Sequence, residues 1–271
     1  MRTRLKRVVA GSVIVVAASV TALVVLLSPT EIHTVDHVID GDTIVVHDQH
    51  GESLRVQLLG VDAPEPGSEI PFENCGSEQA KQYLESELPA GTPVQLRTGG
   101  TTIDDQGQLL AMVFRTKNQA SVNELVTAQG HGIAVSNGGD TEWLDAVKKR
   151  EGEAKAAHRG IHDPQLSCTP AAAVARINND AQSYSPADIG SMSDEQLARL
   201  IGTADKWIAE LDTIQGLPQN SLALQMVGSI PADEFNRLRI RTRTIRTRAA
   251  DEQGKRIKEA ARAAEQARAG E

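Results

Sequence analysis

The chain is poor in aromatic rings, with two tryptophans, two tyrosines and three phenylalanines among 271 residues. A core must therefore be built from Val, Leu, Ile and Ala, and few rings remain to stack on nucleic-acid bases. Cysteine is scarcer still. Cys75 and Cys168 are the only two, and no Cys-x-x-Cys pair or His-rich metal spacing occurs, which discounts zinc. Basic charge is missing where a nucleic-acid binder would want it. The chain carries −8 overall, and residues 31–170 hold 10 basic against 22 acidic residues, a net −12. Such a segment repels a polyanion unless a bound cation or local arginines reverse the field. Residues 171–235 carry −6 and residues 236–271 carry +6, so the tail is basic.

The first thirty residues are different in kind. Arg2, Arg4, Lys6 and Arg7 precede Val8 to Leu27, an uncharged run of twenty residues ended by Ser28-Pro29. Twenty helical residues rise about 30 Å, the thickness of a bilayer's hydrocarbon core. The basic flank keeps the N-terminus in the cytoplasm and sends the remainder out. The run reads as a single-pass membrane anchor. The alternative is a cleaved signal peptide that releases a secreted protein. Both readings place residue 31 onward outside the cytoplasm, where Cys75 and Cys168 are expected to form a disulfide rather than stay as free thiols.

Residues 31–168 read as one domain. Val35 to Ile39, Thr43 to His47 and Leu54 to Gly60 are rich in β-branched and aliphatic residues, with turn signals at Asp40-Gly41 and Asp48–Gly51. A helix is expected from Cys75 to Glu87, then strands Pro93 to Thr98 and Leu109 to Phe114. Ser121 is placed to cap a helix over Val122 to Gln129, with Glu124 completing a capping box, and Thr141 to cap another through about His158. This order suits an α+β fold: a small five-stranded barrel with helices packed on it.

Four short stretches carry the chemistry. Val38-Ile-Asp-Gly-Asp-Thr43 is followed by Leu58-Leu-Gly-Val-Asp-Ala-Pro-Glu65, then Asp105-Gln-Gly-Gln-Leu-Leu-Ala111 and Val122-Asn-Glu-Leu-Val126. In order and spacing they resemble the staphylococcal-nuclease (thermonuclease) family over about residues 33–163. That resemblance implies an OB-fold barrel that hydrolyses DNA and RNA with calcium. It implies Asp42 and Asp62 as calcium ligands with the backbone carbonyl of Ala63, support from Asp40 and Thr43, and Glu65 as general base. The residue types suit those roles. Calcium takes hard oxygens from carboxylates and carbonyls, and a carboxylate can polarise an attacking water.

The sequence departs from the family at its phosphate grip. The family has an arginine in the strand before Asp-x-Pro-Glu and another after the glycine of Asp-x-x-Gly; here those positions are Gln57 and Gln108. Arginine offers a permanent charge and a two-pronged fork, glutamine only a neutral amide. Arg55, two residues before Gln57 on the same strand face, is the one candidate substitute; the competing reading is a solvated surface arginine. Tyrosines that line the family's base pocket are replaced by Gln106 and by the ring-free stretch Val135–Gly139. The seven histidines are scattered and receive no catalytic role.

Residues 169–190, rich in Ala, Ser, Asn and Pro, read as a linker to a helical module over 191–271. Ser193 caps a helix with Gln196 in the box position, and Leu197, Leu200, Ile201, Ala204, Ile208 and Leu211 form one apolar stripe. A short helix is expected over Ser221 to Val227, and one long helix from Pro231 to about Ala267, packed against the stripe as a hairpin. Arg237, Arg239, Arg241, Arg243, Arg246 and Arg248 give that helix its charge. Three readings stand open: a solvated helix, a polyanion contact, or a dock onto the acidic domain.

Overall fold

A computed structural model describes residues 31–137, 141–227 and 230–270. The anchor or signal read at residues 1–30 lies outside the described residues. Among those described, no helix is long and apolar enough to cross a membrane.

Five strands close into a barrel. β1 (Ile32–Val38), β2 (Thr43–His47) and β3 (Ser53–Leu58) form an antiparallel meander; β5 (Pro93–Arg97) and β6 (Leu109–Arg115) complete the ring in the order β1-β2-β3-β6-β5. β3 and β6 run parallel, Val56 opposite Leu109, and β5 closes onto β1 with Ile32 opposite Gln95. Alternating residues such as Val35, Ile44, Val46, Val56, Leu58 and Val94 fill the interior. The core is aliphatic, as the shortage of rings requires.

The third expected strand, Leu54 to Gly60, is broken. β3 ends at Leu58, and Gly60 at φ 77° turns the chain out of the barrel. Val61–Asp62 then forms β4, which pairs with β7 (Ile133–Ala134) in a separate two-stranded sheet. Asp62 is thereby carried off the barrel wall to its mouth.

Helices cover the barrel. α1 (Ser77–Glu87) starts two residues later than expected, because Cys75 is bridged to Cys168 and Gly76 enters the helix at φ 86°. α2 (Val122–Ala128) has its Ser121 cap, but only half of the expected box forms. The Glu124 carboxylate accepts from Arg150 Nε at 3.0 Å, and Arg150 belongs to α3 (Thr141–Ala156).

The stretch read as a linker is helical instead. Thr169 caps α4 (Pro170–Gln182), and Ser185 caps α5 (Pro186–Ser191) with a full box through Asp188. Thr-Pro and Ser-Pro here are not loop punctuation; each is an N-cap followed by proline at the first helical position, where its missing N–H costs nothing. α6 (Asp194–Gln215) bears the expected Ser193–Gln196 box. Its buried stripe is completed by Trp207 and Ile214, while Ile201 and Ile208 are only partly buried. α7 (Leu222–Val227) is short, and α8 (Ala232–Ala269) lays Leu238, Thr242, Ile245 and Ala249 along α6.

The arginines of α8 are largely spent within the module. Asp212 of α6 accepts from Arg239 at 3.1 Å and Arg243 at 3.0 Å, and Asp205 accepts from Arg246 at 3.0 Å. Arg256 donates to the carbonyls of Met192 and Gly190 and to Asp194. These contacts go to the acidic α6 and its N-terminal turn, so the charge patterning that looked available for a dock onto the barrel serves the hairpin.

Candidate active site

The β1–β2 turn is built by Asp40. Its Oδ1 accepts the N–H groups of Asp42 at 3.1 Å and Thr43 at 2.8 Å, an Asx turn that returns the chain into β2. Gly41 is required there by space. A Cβ on it would lie 2.7 Å from the Cβ atoms of both Ala63 and Ala80, so the turn, the Asp62-Ala63 segment and α1 meet at a residue without a side chain.

Asp42, 5% exposed, points into this junction. Its Oδ1 accepts from the Thr43 hydroxyl at 3.1 Å and its Oδ2 from the Ala63 N–H at 2.9 Å, while its own carbonyl accepts from Leu58 N at 2.8 Å. Asp42, Thr43, Asp62, Ala63 and Asp40, predicted from separate motifs, are thus brought to one place. Glu65 follows buried Pro64 at the exposed rim.

The electrostatics mark the same spot. Burial, then the adjoining Asp40 carboxylate, pushes Asp42 well above the ordinary carboxylate range. Asp62 is pushed up to about 7, by burial first and then by Glu65 and Glu73. Glu65 is raised by desolvation at the rim and by Asp40 and Glu73. Negative groups crowd here with no positive side chain among the causes. Glu73 was not singled out by its motif; the loop after Glu65 folds back and brings it in. No three His, Cys, Asp or Glu side chains converge tightly enough among the described residues to hold a metal by themselves. Two carboxylates, a backbone carbonyl and water are a donor set that suits calcium, and mutual repulsion among the carboxylates is what a cation relieves.

The phosphate grip is weak. Gln57 stands opposite Thr43 on β2, beside Asp42, so its position faces the site. Gln108 is 5% exposed, and its Nε2 is held by Asp104 Oδ2 and Gln106 Oε1, both at 3.1 Å, inside its own turn. Arg55 is opposite Val45 and exposed. The other two strand arginines are engaged: Arg97 lies 4.4 Å over the Phe114 ring, and Arg115 is paired with Glu87. Within the ring-free stretch, Asn137 Oδ1 accepts the Gly60 N–H at 2.7 Å and braces the turn ahead of Asp62.

One structural residue escaped assignment although its motif was recognised. Asn123, wholly buried, donates from Nδ2 to the carbonyls of Leu59 at 2.8 Å and Ala111 at 3.2 Å, and accepts the Val113 N–H at 2.9 Å. It pins α2 to β6 and to the chain just before β4. A polar residue on the apolar face of a helix was the available signal.

Beside this closed barrel and its carboxylates, a partial match to a known protein supports a nuclease-like domain. Over 88 residues, 31% of this chain, it is 35% identical to the protein named Thermonuclease from Staphylococcus intermedius, covering 49% of that protein. The chain therefore spans about half the length of that relative. No family model matches the chain.

Proposed function

We propose that residues 31–168 form a calcium-dependent phosphodiesterase of the thermonuclease type, acting on DNA or RNA outside the cell and held at the membrane by residues 1–30. The observation that carries this reading is the meeting of Asp42 with the Asp62-Ala63 segment, fastened by the 2.9 Å bond to Ala63 N–H. Asp42, Asp62 and the Ala63 carbonyl would hold calcium. When bound, calcium supplies Lewis-acid stabilisation of charge on the phosphate. Glu65 takes the proton of the attacking water, which adds to phosphorus as the P–O ester bond breaks and the leaving ester oxygen takes a proton from solvent. Its raised pKa makes it a better proton acceptor at neutral pH than an ordinary carboxylate. Substrate binding is weak by design of the site, because Gln57 and Gln108 offer no charge and the domain is acidic.

A second reading is favoured by one observation. The Gln108 Nε2 is spent on Asp104 and Gln106 within its own turn and is not free for a phosphate, which suits a pseudonuclease, a metal-binding interaction module that no longer hydrolyses. Any polyanion contact by α8 falls to Arg241, Arg248, Lys255, Lys258, Arg262 and Arg268, which have no carboxylate partner among the described residues.

The deciding experiment is cleavage of single-stranded DNA by the full chain in calcium or chelator, with Glu65→Gln alongside. Calcium-dependent cleavage lost in that variant supports the enzyme. Calcium binding without cleavage identifies the pseudonuclease, and absence of both removes the carboxylate assignment.

A further inference from the structure

The loop that follows Glu65 leaves the barrel and is fastened to the helical module. Ile70 and Phe72 pack on the module's core, alongside Tyr184, Met192 and Phe235. Three residues beyond Phe72, Cys75 is bridged to Cys168 immediately ahead of α4, with Cα atoms 5.5 Å apart. Phe72 holds φ at 72°, a conformation that bulky residues rarely adopt, while its side chain packs on the module. Between the anchors the loop is tied to itself. Ser68 Oγ donates to Glu73 Oε2 at 2.9 Å and accepts the Ile70 N–H at 3.2 Å.

We propose that the helical module is a positioning element of the candidate active site: its grip on Ile70 and Phe72, next to the Cys75–Cys168 bridge at the domain's own end, sets the path of residues 66–74, and so the placement of Glu65 and Glu73 beside Asp62. The loop begins at buried Pro64, on the segment bonded to Asp42, and ends at the disulfide, so both ends are fixed. A tether at each end and an apolar anchor between them leave little conformational freedom to lose when the site engages substrate. Glu73 is close enough for its charge to bear on both Asp62 and Glu65. Phe72 and Cys75 are positioning residues; neither is assigned contact with the reacting atoms. In a free barrel the same loop would be an exposed excursion, and a general base at its root would be poorly placed.

The inference rests on the proposed function for its activity readout, so the test includes one readout that does not. The full chain is compared with Phe72→Ala, with Phe72→Leu, and with a Cys75→Ser, Cys168→Ser double variant that keeps the ring but loses the covalent tie. Amide hydrogen exchange is followed in residues 66–76 and in β2 and β3, calcium is titrated by calorimetry, and cleavage is resolved into kcat and KM. In Phe72→Ala, exchange in 66–76 is expected to quicken while β2 and β3 keep their protection. Calcium affinity falls about tenfold, as for loss of other groups that orient ligands, kcat falls more than KM rises, and Phe72→Leu restores both. If Phe72→Ala does not fold, the double variant carries the same comparison. Calcium affinity and kcat at parental values despite faster loop exchange would overturn the inference, as would unchanged loop exchange in both variants. A parent chain that neither binds calcium nor cleaves is a different result: it removes the proposed function, and loop exchange alone then decides whether the module holds the loop.

Discussion

Asp42 Oδ2 accepts the backbone N–H of Ala63 at 2.9 Å, joining the β1–β2 turn to the segment 21 residues further along. The same carboxylate is a candidate cation ligand, so stability and function make opposite demands on it. Asp42→Asn keeps an oxygen for Ala63, and the Thr43 hydroxyl can turn from donor to acceptor toward the new amide. The variant loses a buried negative charge pressed against Asp40 and Asp62. Its melting temperature in chelator is expected to rise above the parent's, and its stabilisation by calcium to disappear. Asp42→Ala also removes the acceptor and is expected to lose about 1–3 kcal/mol for the unpaired Ala63 N–H. Thermal melts in chelator and in calcium separate the two.

The crowded carboxylates make stability depend on pH in a defined direction. Asp62 titrates at about 7 in the folded chain against an ordinary 3.8, and Asp42 is raised as well. Between those values the folded state holds protons that the unfolded state has released. Their contribution to stability in chelator therefore falls as pH rises from about 4 to about 7, and is regained on acidification. Calcium binding near pH 6 is expected to release protons. Melts across this range, with calorimetry in buffers of different ionisation heat, check both; absence of proton release would mean that the carboxylates are not crowded by one another.

Restoring arginine tests the phosphate grip. Losing one oriented donor to a developing oxyanion typically costs about 10²–10³ in rate. Gln57 faces the site across from Thr43, so Gln57→Arg is expected to raise kcat/KM on single-stranded DNA by about tenfold or more. Gln108→Arg is expected to gain less by itself, because Asp104 stands ready to hold the new guanidinium as it holds the glutamine amide. If neither change nor their combination raises the rate, the phosphate lies elsewhere and Arg55→Ala becomes the informative variant.

Asn123 bears on folding rather than chemistry. Asn123→Ala strands the Leu59 carbonyl and the Val113 N–H in the interior, while the Ala111 carbonyl keeps the Leu59 N–H. Urea unfolding is expected to show a loss of about 2–4 kcal/mol, with calcium affinity falling only where folding is incomplete.

Much of this molecule was legible one stretch at a time. Runs of β-branched and aliphatic residues marked all five barrel strands to within three residues at either end, and small polar caps marked α2 and α6. The Asp40–Thr43 and Asp62–Glu65 motifs singled out carboxylates that the fold brings to one place. The failures share a cause. Thr169-Pro170 and Ser185-Pro186 were read as loop signals, and only packing of the following helices on α6 and α8 shows them to be caps. Gly60 looked like the end of a strand, yet the partner that makes Val61–Asp62 a strand of its own is Ile133–Ala134, some seventy residues on.

What the sequence determined alone is therefore what short-range physics governs: periodicity, turn chemistry, capping, and which residue types are present to bind a cation or a phosphate. The meeting of Asp42 with Ala63, the arrival of Glu73, and the neutralisation of Arg239, Arg243 and Arg246 by Asp212 and Asp205 were decided by tertiary structure. Each joins groups distant along the chain, and a carboxylate's or guanidinium's role depends on the charges and burial around it, which exist only once the chain has folded.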